Sequence, residues 1–229
     1  RRWCRERGVR WIEWSQFGVV RRLPSRDGWA QRWEAHVQAP QVFAPQRLRS
    51  ENGPWVEPEV PDAAALGLTE GDHPQRQRGG RTHATRVLHE FLSERSLGYR
   101  GGISSPLSAP TACSRLSPYL AHGCLSLREV VQATRAHLAT LPPEARHHRL
   151  GLEAFLSQLA WHCHFIQKLE DEPEMEWRNL HRGYDGLREG EWNPAHFDAL
   201  VAGRTGWPLV DACVAMLRET GWINFRMRA

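Results

Sequence analysis

Thr111-Ala-Cys-Ser-Arg-Leu-Ser-Pro-Tyr-Leu-Ala-His-Gly123 is a polar loop running into a short apolar helix, and Leu125-Ser-Leu-Arg-Glu-Val130 follows it. The order of residues predicts Ser117 as a helix N-cap and Pro118 as the first helical residue, so that Cys113 to Ser117 present hydroxyls and free backbone N–H groups at a helix N-terminus. Such a terminus favours an anion, most often a phosphate. The same pattern also fits a capped helix that binds nothing, and the rest of the chain has to decide between the two.

Most of that chain reads as helix. Upstream, Ala84, Val87, Leu88, Phe91 and Leu92 recur at steps of three and four, with Gly98 as the stop. Downstream, Ser126-Leu-Arg-Glu129 is a capping box opening a helix to about His137, and Pro142-Pro143 breaks it. A long helix follows, from Glu144 or Gly151 to Leu169, with Leu152, Phe155, Leu156, Leu159, Cys163 and Ile166 as its apolar stripe. His147-His148 reads as solvated loop. Pro194 to Leu200 and Pro208 to Thr220 give two more helices, the second with Gly221 just past its end, and Asn224 opens another. Asp211, in a first turn, is expected to complement the helix dipole and pair with an arginine.

The first 80 residues differ. Arg1 to Gly8 reads as the end of a helix, Val9-Arg-Trp-Ile-Glu-Trp14 as a short β-like run, and Trp29 to Val37 as a helix. Prolines at 40, 45, 54, 58 and 61 then forbid sustained regular structure. Trp55 and Leu66-Gly-Leu68 are expected to tack this connector to a neighbouring surface, with Glu70 to Gly80 mobile.

Composition bounds the function class. The 229 residues, 41% hydrophobic and 24% charged, describe a globular chain with a sizeable core. Thirty Lys plus Arg against 26 acidic residues leave a formal +4, which permits nucleic-acid binding without demonstrating it. Five cysteines without a C-x-x-C pair suggest neither zinc nor a disulfide framework and fit a reducing cytoplasm. No apolar run is long enough to span a membrane, and no membrane partner is expected.

On the long helix Gln158, Trp161, His162 and Phe165 share a face apart from the leucine stripe. A flat ligand or a base can stack there while the amide bonds its edge, and an interhelical contact is the alternative. His162 and His164 stand two apart on a helix and point away from each other, so no metal site is expected.

Trp207-Pro-Leu-Val-Asp-Ala-Cys213 and Thr220-Gly-Trp-Ile-Asn-Phe-Arg-Met-Arg228 complete the picture. With the 111–123 stretch they form three separated motifs in an order that resembles the photolyase/cryptochrome family, over residues 80 to 229 and more weakly the first 40. The resemblance implies a mainly α, multi-helical FAD-binding domain, present in part over 79–229. It implies a connector over 41–78 and a remnant of an α/β light-harvesting (antenna) domain over 1–40, whose chromophore these residues do not assign. It also implies FAD held at its pyrophosphate by Cys113, Ser114, Leu116 and Ser117, with Tyr99 reaching the same region and Arg115 bracing the loop. Trp161 takes the place of a tryptophan that stacks on a flipped pyrimidine dimer. Gln158 stands where the family has a carboxylate on the lesion, and His162 where it has an arginine on the flavin. Trp222 and Arg226 match the segment beside the isoalloxazine and the lesion-binding mouth. Phe225, with Asn224 one residue earlier, falls at the position facing flavin N5, and Arg226 would contact a DNA phosphate unless it closes an internal salt bridge.

The implied activity of the complete protein is that of a deoxyribodipyrimidine photo-lyase acting on DNA with pyrimidine dimers. A cryptochrome-like blue-light receptor without repair is the alternative, and a cofactor-free helical nucleic-acid-binding module is a third. In the family the chain continues past the position of Ala229 with further flavin contacts. The piece alone is therefore expected to hold FAD weakly or not at all, to be inactive, and to leave apolar faces open to self-association.

Overall fold

The computed structural model describes residues 1–15, 17–47, 59–68 and 73–228. The elements in order are α1 (Arg2–Glu6), α2 (Trp29–Gln38), α3 (Arg81–Ser93), α4 (Tyr99–Gly102), α5 (Ala109–Ala112), α6 (Ser117–Ala121), α7 (Leu127–Thr140), α8 (Arg146–Asp171), α9 (Pro194–Ala202) and α10 (Pro208–Thr220). Short 3-10 turns join several of them, including Arg95–Gly98. Among the described residues there is no strand, and no helix is long and apolar enough to cross a membrane.

α8 is the axis, and its buried side carries Leu152, Phe155, Leu159 and Cys163. The stripe expected on α3 is buried in full: Ala84, Val87, Leu88, Phe91 and Leu92. Phe91, Tyr99 and Phe155 meet edge to face with ring centroids 4.6 to 5.7 Å apart, a geometry the ring quadrupoles favour. Gly151 lets α8 lie directly on the Arg95–Gly98 turn, against the Ser96 carbonyl. On α7 the capping box forms as read, Ser126 Oγ accepting from the Glu129 amide at 3.1 Å.

α7 in turn holds α2. Arg135 makes a two-pronged contact with Glu34 at 2.7 and 2.8 Å, holding that carboxyl below the usual carboxylate range. Gln132 donates to the Val37 and Ala39 carbonyls and Arg128 to those of His36 and Pro40, closing the C-terminal end of α2.

Several expectations give way. Val9 to Trp14 forms no strand and stays exposed, because an apolar alternation becomes a strand only beside another strand. His148 is buried rather than solvated, its Nε2 2.7 Å from the Leu92 carbonyl, because α8 begins a turn before Gly151. Leu66 and Leu68 remain about 60% exposed and tack nothing down. Trp55 lies outside the described residues, as do residues 69–72. Gln77 and Arg78, expected to be mobile, are fixed: Gln77 exchanges two hydrogen bonds with Arg115, and the Arg78 carbonyl accepts from Tyr119 Oη at 2.9 Å. Asp211 pairs with no arginine among the described residues and instead accepts from the Thr205 amide and hydroxyl and the Gly206 amide.

Residues 17–26 form a strap along the C-terminal half of α8. Fully buried Gln167 accepts from the Val20 amide at 2.7 Å and donates to the Val20 carbonyl at 2.9 Å, doing with one side chain what a neighbouring strand does with its backbone. Gln167→Leu keeps the volume and strands both Val20 groups; the expected loss is about 2–3 kcal/mol, read from urea unfolding, with faster amide exchange across the strap. Unchanged exchange there would show that the amide does not hold it.

Candidate anion loop and aromatic face

The loop between α5 and α6 is built from the inside. Arg95, half-buried, donates to the Cys113 carbonyl at 2.6 Å, the Ser114 carbonyl at 3.2 Å and the Val87 carbonyl at 3.1 Å, drawing the loop's oxygens toward the core. With those carbonyls satisfied, the amides of Ser114, Arg115, Leu116 and Ser117 have no hydrogen-bond partner among the described residues, nor do the hydroxyls of Ser114 and Ser117. Four consecutive donors without a partner among the described residues are free to meet an external acceptor such as water or a ligand.

Ser117 is not the N-cap that the sequence suggested. Leu116, 1% exposed, is drawn into the core and its carbonyl accepts from the Leu120 amide, so α6 starts at Ser117 with Pro118 second and with no side-chain cap. Arg115 adopts the left-handed φ of 60° that turns the loop, a conformation costing about 1–2 kcal/mol outside glycine. Its guanidinium lies 4.2 Å from the Trp222 ring centroid and its Nε donates to Gln77 at 3.1 Å, which offsets that strain. Arg115 thus braces the loop, as read from the sequence.

The electrostatics favour a negative guest. Neither Arg95 nor Arg115 forms an ion pair among the described residues, and burial lowers the proton affinity of both. Burial also pushes the Cys113 thiol up to about 11, so it stays neutral beside them. Two guanidiniums without an ion pair among the described residues, one bonded to and one borne by the loop that carries a run of unpartnered amides, suit a phosphate or diphosphate.

The second part of the site is an exposed aromatic face. Trp161 is 51% exposed and stands 5.6 Å from Phe165, whose ring stacks at 6.4 Å and 24° on Phe225. Gln158, one turn back on α8, is exposed with no hydrogen bond among the described residues. Both parts converge on one segment: the loop reaches Trp222 through Arg115, and Trp161 reaches Phe225 through Phe165. Exposed Arg226 forms no ion pair among the described residues, so the internal salt bridge offered as its alternative is not present there.

Other candidates sit elsewhere. Tyr99 is 6% exposed, its ring packed on Phe91 and Phe155, and burial raises its phenol well above the ordinary value. Asn224 is 3% exposed with both ends engaged, its Nδ2 donating to the Ile103 carbonyl and its Oδ1 accepting from the Met227 amide. His162 packs edge-on against Phe17 at 4.9 Å, and burial lowers its proton affinity. His164 instead meets Arg26. Sequence reasoning missed Arg95 and Gln77; an arginine in a turn eighteen residues before the loop carries no local signal of its target.

A groove of about 600 Å³ lies apart from the loop, between α9, α10 and the 104–106 segment, floored by Leu200, Leu209, Val214 and Leu217 with Arg226 and Arg228 at its edge. No residue of α9 or α10 is buried, and Trp177, Trp192 and Trp207 stand at least two-thirds exposed.

The chain is similar to known proteins of one family. Residues 155–229 match the family described as the FAD binding domain of DNA photolyase. A deoxyribodipyrimidine photo-lyase of Streptomyces griseus is 32% identical over 197 residues, covering 86% of this chain and 39% of that protein. That of Halobacterium salinarum is 32% identical over 197 residues, covering 79% and 40%. A (6-4)DNA photolyase of Arabidopsis thaliana is 26% identical over 181 residues, covering 74% and 31%. The chain thus spans about two fifths of the length of the first relatives it matches. Among solved structures, the bacterial class III photolyase of Agrobacterium tumefaciens superposes with a TM-score of 0.63 at 26% identity, over 77% of this chain and 36% of that one. The cryptochrome of Synechocystis gives 0.61 at 21% identity, covering 76% and 35%, and shares the fold. An identity of 32% over 86% of this chain, together with the family match over 155–229, places this chain in the photolyase/cryptochrome family.

Proposed function

We propose that this chain is the part of a photolyase-like flavoprotein that cradles the FAD diphosphate and presents a stacking face to DNA, and that the complete protein repairs pyrimidine dimers with light. The observation that carries the reading is the run of four amides, Ser114 to Ser117, without partners among the described residues, in a loop whose carbonyls Arg95 holds and which Arg115 joins to Trp222. That donor set fits a diphosphate. Residues 1–40 belong, on this reading, to the end of an antenna domain and 79–229 to the FAD domain.

Ser114 to Ser117 hold the phosphates by backbone N–H and hydroxyl, with the two guanidiniums supplying charge. When bound, FAD supplies the light-driven electron-transfer chemistry. Trp161 receives a base turned out of the duplex on its exposed ring, the extrusion that photolyases use to reach their target. Phe165 and Phe225 extend that surface, Gln158 offers an amide to the base edge, and Arg226 faces a DNA phosphate. Tyr99, Asn224 and His162 support the frame and are not part of the contact set.

A non-repairing blue-light receptor is the second reading. Gln158 favours it, because an uncharged amide stands three residues before Trp161, at the position where the family resemblance implies a carboxylate on the lesion. The test has two arms. Titration of the complete protein, freed of its flavin, with FAD should quench flavin fluorescence, and Arg95→Gln should weaken that binding roughly tenfold; an unaltered affinity would remove the loop from the diphosphate. Illumination of the complete, flavin-loaded protein with dimer-containing oligonucleotide should restore intact pyrimidines, and absence of repair with flavin bound would favour the receptor.

A further inference from the structure

His164 is three residues beyond Trp161, which puts the two side chains side by side on α8. Its ring centroid is 5.5 Å from Trp161, 5.6 Å from Phe165 and 5.9 Å from Trp29 of α2. Its Nδ1 lies 2.7 Å from a guanidinium nitrogen of Arg26, at the end of the strap. Arg26 also pairs with Asp171 at 3.2 Å and lies over the Trp29 ring at 5.6 Å. The imidazole is therefore the joint between the exposed aromatic face and residues 17–26.

A guanidinium only donates, so the Arg26 bond requires an unprotonated Nδ1 and places the ring proton on Nε2. We propose that neutral His164 is a positioning residue for Trp161, coupling it to the Arg26 strap, and that protonation of His164 uncouples the two and loosens the stacking face. The proposal rests on Trp161 being that face.

The groups around the ring set the direction. Arg26 from the strap and Lys168 from α8 are cations, while Trp29, Trp161 and Phe165 are neutral. The nearby carboxylates are already engaged: Asp171 by Arg26 and Gln167, Glu172 by Lys168 at 3.6 Å. A proton on Nδ1 would replace an acceptor by a donor facing Arg26, with no free carboxylate to receive it. Burial first, then Arg26 and Lys168, hold the ring below the ordinary histidine value, which is about 6.5. The coupling thus prevails above the ordinary histidine value and is lost as pH falls through the depressed one.

NMR of the 229-residue chain between pH 8 and 5 tests this without any ligand. The Trp161 indole resonance, assigned with Trp161→Phe, should move on the same curve as the His164 ring, with a midpoint below about 6.5. Amides of the strap should exchange faster on the acid side. In His164→Gln the amide oxygen still accepts from Arg26 and gains no proton, so the indole should be level across the range; His164→Ala should resemble the acid form throughout. An indole unmoved while His164 titrates, or the same curve persisting in His164→Gln, overturns the proposal. A second arm measures binding of single-stranded oligonucleotide carrying a thymine dimer. Wild type should weaken roughly threefold to tenfold from pH 7.5 to 5.5, beyond any change in His164→Gln; an identical decline in the variant also overturns it. If the oligonucleotide binds at no pH while the NMR coupling holds, the stacking reading fails and the joint stands.

Discussion

Gly151→Ala is expected to destabilise the fold by about 3 kcal/mol or more. The added Cβ falls inside the contact distance of the Ser96 carbonyl oxygen and meets its carbon at 3.0 Å, with Tyr99 Cβ at 3.7 Å. The obstacle is backbone, not the free end of a side chain, so relief requires α8 to move away from the Arg95–Gly98 turn. That movement would open the Phe91, Tyr99 and Phe155 cluster and carry Arg95 away from the Cys113 and Ser114 carbonyls. Helix propensity alone favours alanine by nearly 1 kcal/mol, so even the sign of the effect discriminates. Urea unfolding measures it, and an equal or higher midpoint would mean that α8 does not approach the turn as described. Gly123, with open space around it, is an unsuitable control because its φ is 68°.

Trp161→Ala is expected to remove most of the affinity for dimer-containing DNA while leaving stability nearly unchanged. A base stacked on an aromatic ring contributes about 1–3 kcal/mol, which corresponds to roughly fivefold to 150-fold in the dissociation constant. The ring is half exposed, and it packs on Phe165 and His164 at the same surface, so its removal uncovers little. Fluorescence anisotropy with labelled oligonucleotides, alongside thermal unfolding of the variant, separates the two effects. Binding equal to wild type would take Trp161 out of the interface. Arg226→Ala serves as the contrast: without its guanidinium on a phosphate, affinity falls evenly for damaged and undamaged strands and the salt dependence flattens by about one unit of slope.

Local pattern carried the helices. The α3 stripe, the capping box at Ser126 and the αL glycine at 221 closing α10 follow from residues within a turn of one another, and each is where its spacing put it. Boundaries and partners were less visible. Ser117 does not cap α6, because a neighbouring leucine was worth more in the core than a hydroxyl at the helix end. Asn224 looked available to a ligand until Ile103, 121 residues away in sequence, took its amide. Tyr99, which the family resemblance set near a phosphate, packs in an aromatic cluster.

The amino-acid order by itself determined the mainly helical class, the family, and the loop and tryptophans worth watching, because periodicity and motifs are properties of near neighbours in the chain. Only the tertiary structure decided that Arg95 turns the loop's carbonyls inward and leaves its amides without partners among the described residues, that Arg115 fastens the loop to Trp222, and that Gln167 and His164 receive the strap. Those interactions join residues 18 to 147 positions apart. Burial and hydrogen-bond satisfaction select them once the helices have packed, and no local pattern encodes which partner each polar group will meet.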